Sequence, residues 1–151
     1  MYCRYNRKEL IGTDPLCFVY EYGNPADMEV VGFIASALAY GRVAQIQKSL
    51  TGLLAVMGRS PFTFIKNFNE DKRDKFAGFK HRFNTADDIC QLLMLLKHVI
   101  RTKGSIEKYF LEFYNESDET IVQALSGFCN SLLKVHADRT GKTSKGLSYL
   151  L

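Results

Sequence analysis

The sequence has no tryptophan and only 3 prolines among its 151 residues. Disordered and low-complexity chains are poor in apolar residues, whereas 46% of this chain is hydrophobic and 13% is aromatic. Disordered and collagen-like classes are therefore excluded. The length and the apolar content are instead typical of one compact domain, which we predict to span residues 1–151.

The chain also lacks close cysteine pairs and a signal peptide. Cys3, Cys17, Cys90 and Cys129 are spread along the sequence, and the N-terminus has no apolar core of the kind that directs secretion. We therefore predict reduced thiols, mostly filling the core of a cytoplasmic protein. The uncharged run over residues 30–40 is well short of the about 20 apolar residues that span a bilayer, so we expect no membrane partner.

Motifs for catalysis or metal binding are missing as well. His81, His98 and His136 lie far apart, with no cysteine or carboxylate at a ligand spacing, and no cysteine shares a local motif with a histidine. The sequence thus assigns no catalytic residue, no metal and no cofactor. We expect surface or half-buried histidines. The sequence leaves open whether the chain is an enzyme, and it favours a protein without catalytic activity.

Helical spacing is what the chain does contain. Apolar residues recur at i, i+3, i+4 and i+7 over residues 89–100, 106–113 and 121–135, and no comparable run alternates with period two. The segment over residues 30–40 is apolar all round, which is typical of a buried helix. We predict an all-α, single-domain bundle of about seven helices around this central helix. Capping side chains predict six helix starts, at Asp14, Asn24, Ser60, Thr85, Ser105 and Ser117.

Basic residues are mildly in excess, with 20 Lys and Arg against 16 Asp and Glu. The stretch over residues 59–82 holds seven basic residues against three acids, interleaved with phenylalanines. Such a pattern suits phosphates and exposed bases, although a solvated helix face over a phenylalanine core explains it equally well. The candidate nucleic-acid contacts in this stretch are Arg59, Lys72, Arg73, Lys80 and Arg82. Arg4, Arg7 and Lys8 add to the positive field.

Three blocks of sequence carry a family resemblance. They are Tyr5-Asn6-Arg7 followed by Asp14-Pro15-Leu16, the stretch VGFIASALAYGRVAQI over residues 31–46, and Phe79-Lys80-His81-Arg82-Phe83. In order and spacing they resemble domain-of-unknown-function family 2400, a bacterial family common in Bacteroidetes, over essentially the full chain. The family name implies no activity.

The resemblance implies a distant relation to the helix-hairpin-helix DNA glycosylases. In those enzymes a turn after an early buried helix approaches the DNA and fills the gap left by a flipped base. The corresponding turn here follows the helix over residues 30–40, where Gly41 breaks the helical pattern. By this analogy we expect Tyr40, Gly41, Arg42 and Gln45 to contact DNA. Arg42 would offer its guanidinium to phosphate or a base edge, and Gly41 would allow close approach.

The C-terminus has an unusually apolar finish, Leu147, Tyr149, Leu150 and Leu151. Members of the family continue beyond this region into a segment that resembles the catalytic aspartate strip of the glycosylases. We therefore expect the chain to be truncated relative to the family and to lack that aspartate. A DNA-interacting module without catalysis is the first hypothesis.

A structural or protein-interaction domain, homodimeric through an exposed apolar C-terminal edge, is the alternative hypothesis. A small-molecule enzyme with a site of Tyr, Arg and His side chains is a third class.

Overall fold

The computed structural model describes residues 11–12 and 14–151. Cys3, Arg4, Arg7, Lys8 and the first part of the first family block lie outside the described residues. The fold is all-α, as predicted, apart from one small hairpin. The elements in chain order are a 3₁₀ helix Pro15–Glu21, α1 Pro25–Ala37, α2 Val43–Met57, α3 Pro61–Lys66, a second 3₁₀ helix Glu70–Phe76, β1 Lys80–His81, β2 Asn84–Thr85, α4 Ala86–Lys103, α5 Ile106–Phe110, α6 Val122–Thr140 and α7 Lys145–Leu150.

Four of the predicted helix starts are confirmed by the same local chemistry. In each, a side-chain oxygen accepts a backbone N–H of the first turn, which would otherwise lack an intrahelical partner. The bonds run from Leu16 N to Asp14 Oδ1 (2.8 Å), from Ala26 N to Asn24 Oδ1 (2.9 Å), from Thr63 N to Ser60 Oγ (3.2 Å) and from Lys108 N to Ser105 Oγ (3.0 Å). Local sequence therefore determines where these helices begin.

The fifth predicted start, at Thr85, is also confirmed, and the sixth, at Ser117, is wrong. Thr85 N donates to Asp88 Oδ2 at 2.8 Å, and the Thr85 and Asp88 side chains form a capping box at the start of α4. Ser117 N instead donates to Asn115 Oδ1 at 3.1 Å within a turn, and helix α6 begins five residues later at Val122. An Asx-type turn competes with helix initiation at this point.

The expectation of no strand needs correction at residues 80–85. Lys80 pairs with Thr85 and His81 with Asn84 in an antiparallel hairpin, with a two-residue loop between them. Each strand has only two residues, too few for an alternating pattern to be visible in the sequence. The hairpin leads directly into helix α4.

Helix α1 is deeply buried, as predicted, with Val30, Val31 and Ile34 completely inaccessible to solvent. Helix α4 is nevertheless the element on which most others pack, since α3, α5, α6, α7, strand β2 and the second 3₁₀ helix all contact it. Its amphipathic spacing produces a broad buried face that includes Leu92, Leu93 and Leu96. The bundle is therefore built around α4 as well as α1.

The apolar C-terminal residues mostly belong to this core. Leu147 and Leu150 of helix α7 are buried, Leu151 packs partly against the core, and Tyr149 is exposed. The expectation of an exposed apolar edge is therefore wrong for Leu147 and Leu150.

Helix α7 lies so close to α4 that a Cβ at Gly146 would overlap the Asp88 carboxylate. Ser144 Oγ also donates to Asp88 Oδ1 at 3.3 Å, so the start of α7 is fixed to the start of α4.

Candidate nucleic-acid interface

The inner face of the 80–85 hairpin is held by a fully buried histidine. His81 Nε2 lies 3.0 Å from the Tyr40 carbonyl oxygen, and Nδ1 lies 2.9 Å from Ser49 Oγ. A carbonyl oxygen only accepts, so Nε2 carries the proton, and in the neutral ring Nδ1 accepts the Ser49 hydroxyl. His81 thus joins the hairpin to helix α2 and to the chain after α1. The expectation of surface or half-buried histidines is wrong for His81, and also for the buried His136.

Asn84 occupies the second inward position of the hairpin and is also fully buried. Its Nδ2 donates to the Gly146 carbonyl at 2.8 Å, and its Oδ1 accepts the Tyr40 hydroxyl. Burial raises the pKa of the Tyr40 phenol above 10.0, with the nearby Tyr149 and Asp88 acting in the same direction and Arg82 opposing them. The phenol therefore stays protonated and donates to Asn84, which connects the segment after α1 to the hairpin. The Asn84 bond to Gly146 connects the hairpin to helix α7.

Gly41 lets the turn between α1 and α2 approach the hairpin loop. Its φ of +107° lies in the region that glycine tolerates, and a Cβ there would be 3.0 Å from Arg82 Cδ. Arg82 itself has a φ of +53°, which is uncommon for a residue with a side chain. The predicted turn thus meets the predicted basic stretch at this contact.

The outer face of this junction is an open groove of about 430 Å³. Its lining consists of Arg42, Gln45, Lys80 and Arg82, all exposed, with no carboxylate among them. Arg42 is the N-cap residue before α2, Gln45 lies in the first turn of α2, and Lys80 and Arg82 come from the hairpin. The structure therefore brings four of the predicted residues to one surface, Arg42, Gln45, Lys80 and Arg82. Gly41 contacts Arg82 beside the groove, whereas Tyr40 is half-buried and bonded to His81 and Asn84 on the inner face.

A second groove of about 270 Å³ continues from the first, because Gln45 and Lys80 line both. It adds the exposed lysines Lys48 and Lys75. In the part of the chain that the structure describes, none of the basic residues of the two grooves has a carboxylate within 4.0 Å. We call this set, Arg42, Lys48, Lys75, Lys80 and Arg82, the cationic groove.

Three predicted basic contacts lie away from the cationic groove. Arg73 is paired with Glu70 at 3.0 Å and with Asp87. Lys72 donates to the Asn67 carbonyl at 2.7 Å and lies over the Phe64 ring. Arg59 lines a different pocket, together with Glu21 and Tyr22. The basic stretch over residues 59–82 is therefore not one surface.

Sequence reasoning missed Lys48 as a groove residue, although a signal was present. Arg42, Gln45 and Lys48 are spaced by three residues, which places them on one face of a helix. It also gave no role to Ser49 or Asn84, and it assigned Tyr149 only to the apolar C-terminal edge, because their partners lie far away in the sequence. Lys75 was counted in the basic stretch but not selected.

The cysteines and histidines do not assemble a reactive site within the described residues. Cys17, Cys90 and Cys129 are unpaired thiols, of which Cys90 is buried, and burial raises the pKa of Cys90 and Cys129 above 9.0. Over residues 11–12 and 14–151, no group of three His, Cys, Asp or Glu side chains is placed to hold a metal ion. No helix in that part of the chain has both the length and the hydropathy to cross a membrane.

Comparison with known proteins gives one match. The model of the protein family of unknown function DUF2400 matches residues 14–150. No curated protein and no solved structure matches the chain.

Proposed function

Because the chain belongs to the DUF2400 family, whose function is unknown, we propose its function from its own surface: it binds the phosphate backbone of DNA through the cationic groove. The glycosylase resemblance has no support from a solved structure, since none matches. The proposal therefore depends on the arrangement of the groove and not on that analogy.

The absence of carboxylate partners in the groove is the observation that carries the proposal. Arg42, Lys80 and Arg82 line one open concavity, and the described residues supply no acid to neutralise them. Among the described residues, Arg73, Lys103 and Lys134 are paired with acids, and unpaired cations also occur outside the groove; the groove differs in holding several of them in one concavity. Holding several cations together costs electrostatic repulsion, which the negative charges of a bound polyanion relieve. A phosphate backbone supplies negative charges at regular spacing along such a groove.

The geometry of the groove is also fixed from beneath. His81 and Asn84 anchor the hairpin from its inner side, so Lys80 and Arg82 project from a rigid support. Rigid placement lowers the ordering cost of binding. In the described part of the chain, no buried side-chain nitrogen or oxygen lacks a hydrogen-bond partner. The polar network beneath the groove is therefore already satisfied by the protein, and we assign it a structural role and no catalytic one.

Fluorescence anisotropy with labelled duplex and single-stranded DNA at low salt tests the proposal. The wild-type chain should bind both, and the double variant Arg42→Glu/Lys80→Glu should bind about 100-fold more weakly, because two attractive phosphate contacts become repulsive. Lys108→Glu is the control for a charge reversal outside the groove, to be compared with each single reversal as well as with the double variant. Lys108 is exposed on α5, beyond the far end of the 18-residue helix α4. Absent wild-type binding, or an equal loss in the control, would contradict the proposal.

A second candidate function is protein contact through a different surface. Ile121, Val122 and Leu125 lie around the start of helix α6 and are 54%, 61% and 44% exposed. Leu125 also borders an apolar groove formed with Phe33, Phe110 and Phe128. Exposed apolar patches of this kind commonly mark interfaces. Light scattering at high concentration should report a dimer that Val122→Glu/Leu125→Glu converts to monomer. A wild-type chain that is only monomeric would exclude the homodimer.

A further inference from the structure

Beside the cationic groove, three aromatic rings from three elements form one cluster. Tyr40 follows α1, Phe83 lies in the hairpin loop and Tyr149 lies on α7. The Phe83 and Tyr149 ring centroids are 4.5 Å apart, and Tyr40 lies 5.7 Å from Phe83 and 4.8 Å from Tyr149. We call this cluster the aromatic edge.

Two members of the aromatic edge are unusually exposed. Phe83 is 54% and Tyr149 is 53% accessible, whereas Phe68 and Phe76 of the nearby basic stretch are buried. Large rings that pack against each other and still face solvent keep much apolar surface in water, at a cost that burial would recover. Their mutual packing also fixes them in place, so a ligand that covers them does not have to order them first.

Positive charge borders the same rings. The Arg82 guanidinium carbon lies 5.7 Å from the Phe83 ring centroid, and Arg82 is also part of the cationic groove. On the other side, the exposed Lys145 lines a shallow pocket with Tyr149. An aromatic surface flanked by cations is complementary to a ligand that carries flat rings next to phosphates.

We propose that the aromatic edge stacks an unpaired base, so that the protein prefers single-stranded or locally opened DNA to closed duplex. The inference rests on the proposed function, because the cationic groove supplies the phosphate contacts that bring the strand to the rings. Bases within a closed duplex already stack on their neighbours and do not offer a free face. Stacking on aromatic side chains tolerates any sequence, since every base has a flat face.

Two oligonucleotides of equal charge separate this inference from the proposed function. One is a fluorescein-labelled oligothymidylate of about 12 nucleotides, and the other is an abasic strand of the same length. The groove binds both through phosphates. The aromatic edge should bind the thymidylate about 10-fold more tightly, which corresponds to about 1.4 kcal/mol, within the range for stacking of one base. Equal affinity would overturn the stacking inference and leave the groove in place, whereas binding of neither strand would overturn the groove.

Variants then assign the preference to particular rings. Phe83→Leu and Tyr149→Leu should each bring thymidylate affinity close to that of the abasic strand without changing abasic binding. Tyr114→Leu is the control, since Tyr114 is 43% exposed and lies in the connection between α5 and α6. A preference that survives in both edge variants would contradict the assignment.

A direct spectroscopic readout is available because the chain has no tryptophan. In Phe83→Trp the new ring becomes the sole indole of the protein. Its emission should be quenched when thymidylate is added and should change little with the abasic strand. Equal quenching by both strands would contradict base stacking at this position, and quenching by neither strand, with anisotropy showing that both are bound, would contradict it as well.

Discussion

The two faces of the 80–85 hairpin differ in almost every physical property. His81 and Asn84 point inward, are completely buried, and have their side-chain hydrogen-bonding groups satisfied by the protein. Lys80, Arg82 and Phe83 point outward and are exposed, and the two cations have no carboxylate partner among the described residues. Neighbouring residues of the hairpin therefore face the protein interior and the solvent in turn.

Stability and binding therefore depend on separate residues of one short element. A buried side chain with satisfied partners contributes to the free energy of unfolding, and its loss leaves those partners unpaired. An exposed cation contributes little to stability but acts on a charged ligand. Variants on the two faces should therefore separate stability from affinity.

The largest effect should come from the inner face. His81→Ala removes a ring that is 0% exposed and leaves Ser49 and the Tyr40 carbonyl without their partner. We expect the free energy of unfolding to fall by about 3 kcal/mol, from cavity formation and lost hydrogen bonds together. Urea denaturation measures the fall. Lys80→Ala on the outer face is the control and should change stability by no more than about 0.5 kcal/mol. Equal losses of unfolding free energy in the two variants would show that the two faces do not differ in their contribution to stability.

Lys48 and Lys75, which the sequence did not single out, should produce the next largest effect, a loss of DNA affinity. Lys48→Gln/Lys75→Gln removes two exposed charges from the second part of the groove. We expect about a 10-fold loss of affinity for single-stranded DNA at low salt, with the unfolding midpoint unchanged. Anisotropy and thermal denaturation check the two halves of this prediction. Unchanged affinity would show that Lys48 and Lys75 do not contact DNA and that only Arg42, Lys80 and Arg82 do.

Tyr40→Phe tests the connection between the inner face and the segment that follows α1. The substitution leaves the buried Asn84 Oδ1 without its donor, so we expect a loss of about 1–2 kcal/mol in unfolding free energy. Burial raises the pKa of Tyr40, so the folded chain retains a proton that the unfolded chain releases as the pH rises above about 10. Wild-type stability should therefore be fully present below that pH and fall above it more steeply than in Tyr40→Phe. Parallel stability curves for the two proteins would contradict the pKa direction.

Arg82→Gly separates strain from charge at a single position. The φ of +53° disfavours arginine and suits glycine, so stability should stay the same or rise by up to about 1 kcal/mol. The lost groove cation should lower affinity for single-stranded DNA about 3-fold. Stability falling together with affinity would show that Arg82 contributes to the fold and would contradict the separation.

The smallest effect should come from a basic residue outside the groove. Arg73→Gln removes a charge that Glu70 and Asp87 already neutralise. We expect less than about a 2-fold change in affinity, because a paired cation offers little net charge to phosphate. A loss as large as that of Lys48→Gln/Lys75→Gln would mean that pairing with a carboxylate does not weaken the contact of a basic residue with DNA.

Local chemistry made much of the fold predictable from the sequence. Asn24 before Pro25, Ser60 before Pro61 and Thr85 before Asp88 each satisfy the backbone within three residues, so the sequence contained both partners of each bond. Gly41 likewise indicated the turn that its positive φ now explains. The short hairpin was not predictable, because two-residue strands leave no period to detect.

The candidate site was only partly predictable, because its contacts cross long stretches of chain. His81 and Tyr40 are 41 residues apart, and Asn84 and Gly146 are 62 residues apart. Composition cannot show whether Lys80 and Arg73 differ, since both belong to one basic stretch. Glu70 lies only three residues before Arg73, so that pair is local, but the tertiary arrangement adds Asp87 and leaves Lys80 without a carboxylate among the described residues.

The salt dependence of DNA binding by the wild-type chain shows whether the cationic groove contacts phosphates. Each cation that neutralises a phosphate on a single strand contributes about −0.7 to the slope of the logarithm of the association constant against the logarithm of salt concentration. The five residues of the cationic groove therefore predict a slope of about −3.5. A slope near zero, or no binding at low salt, would contradict the claim that the groove binds a phosphate backbone.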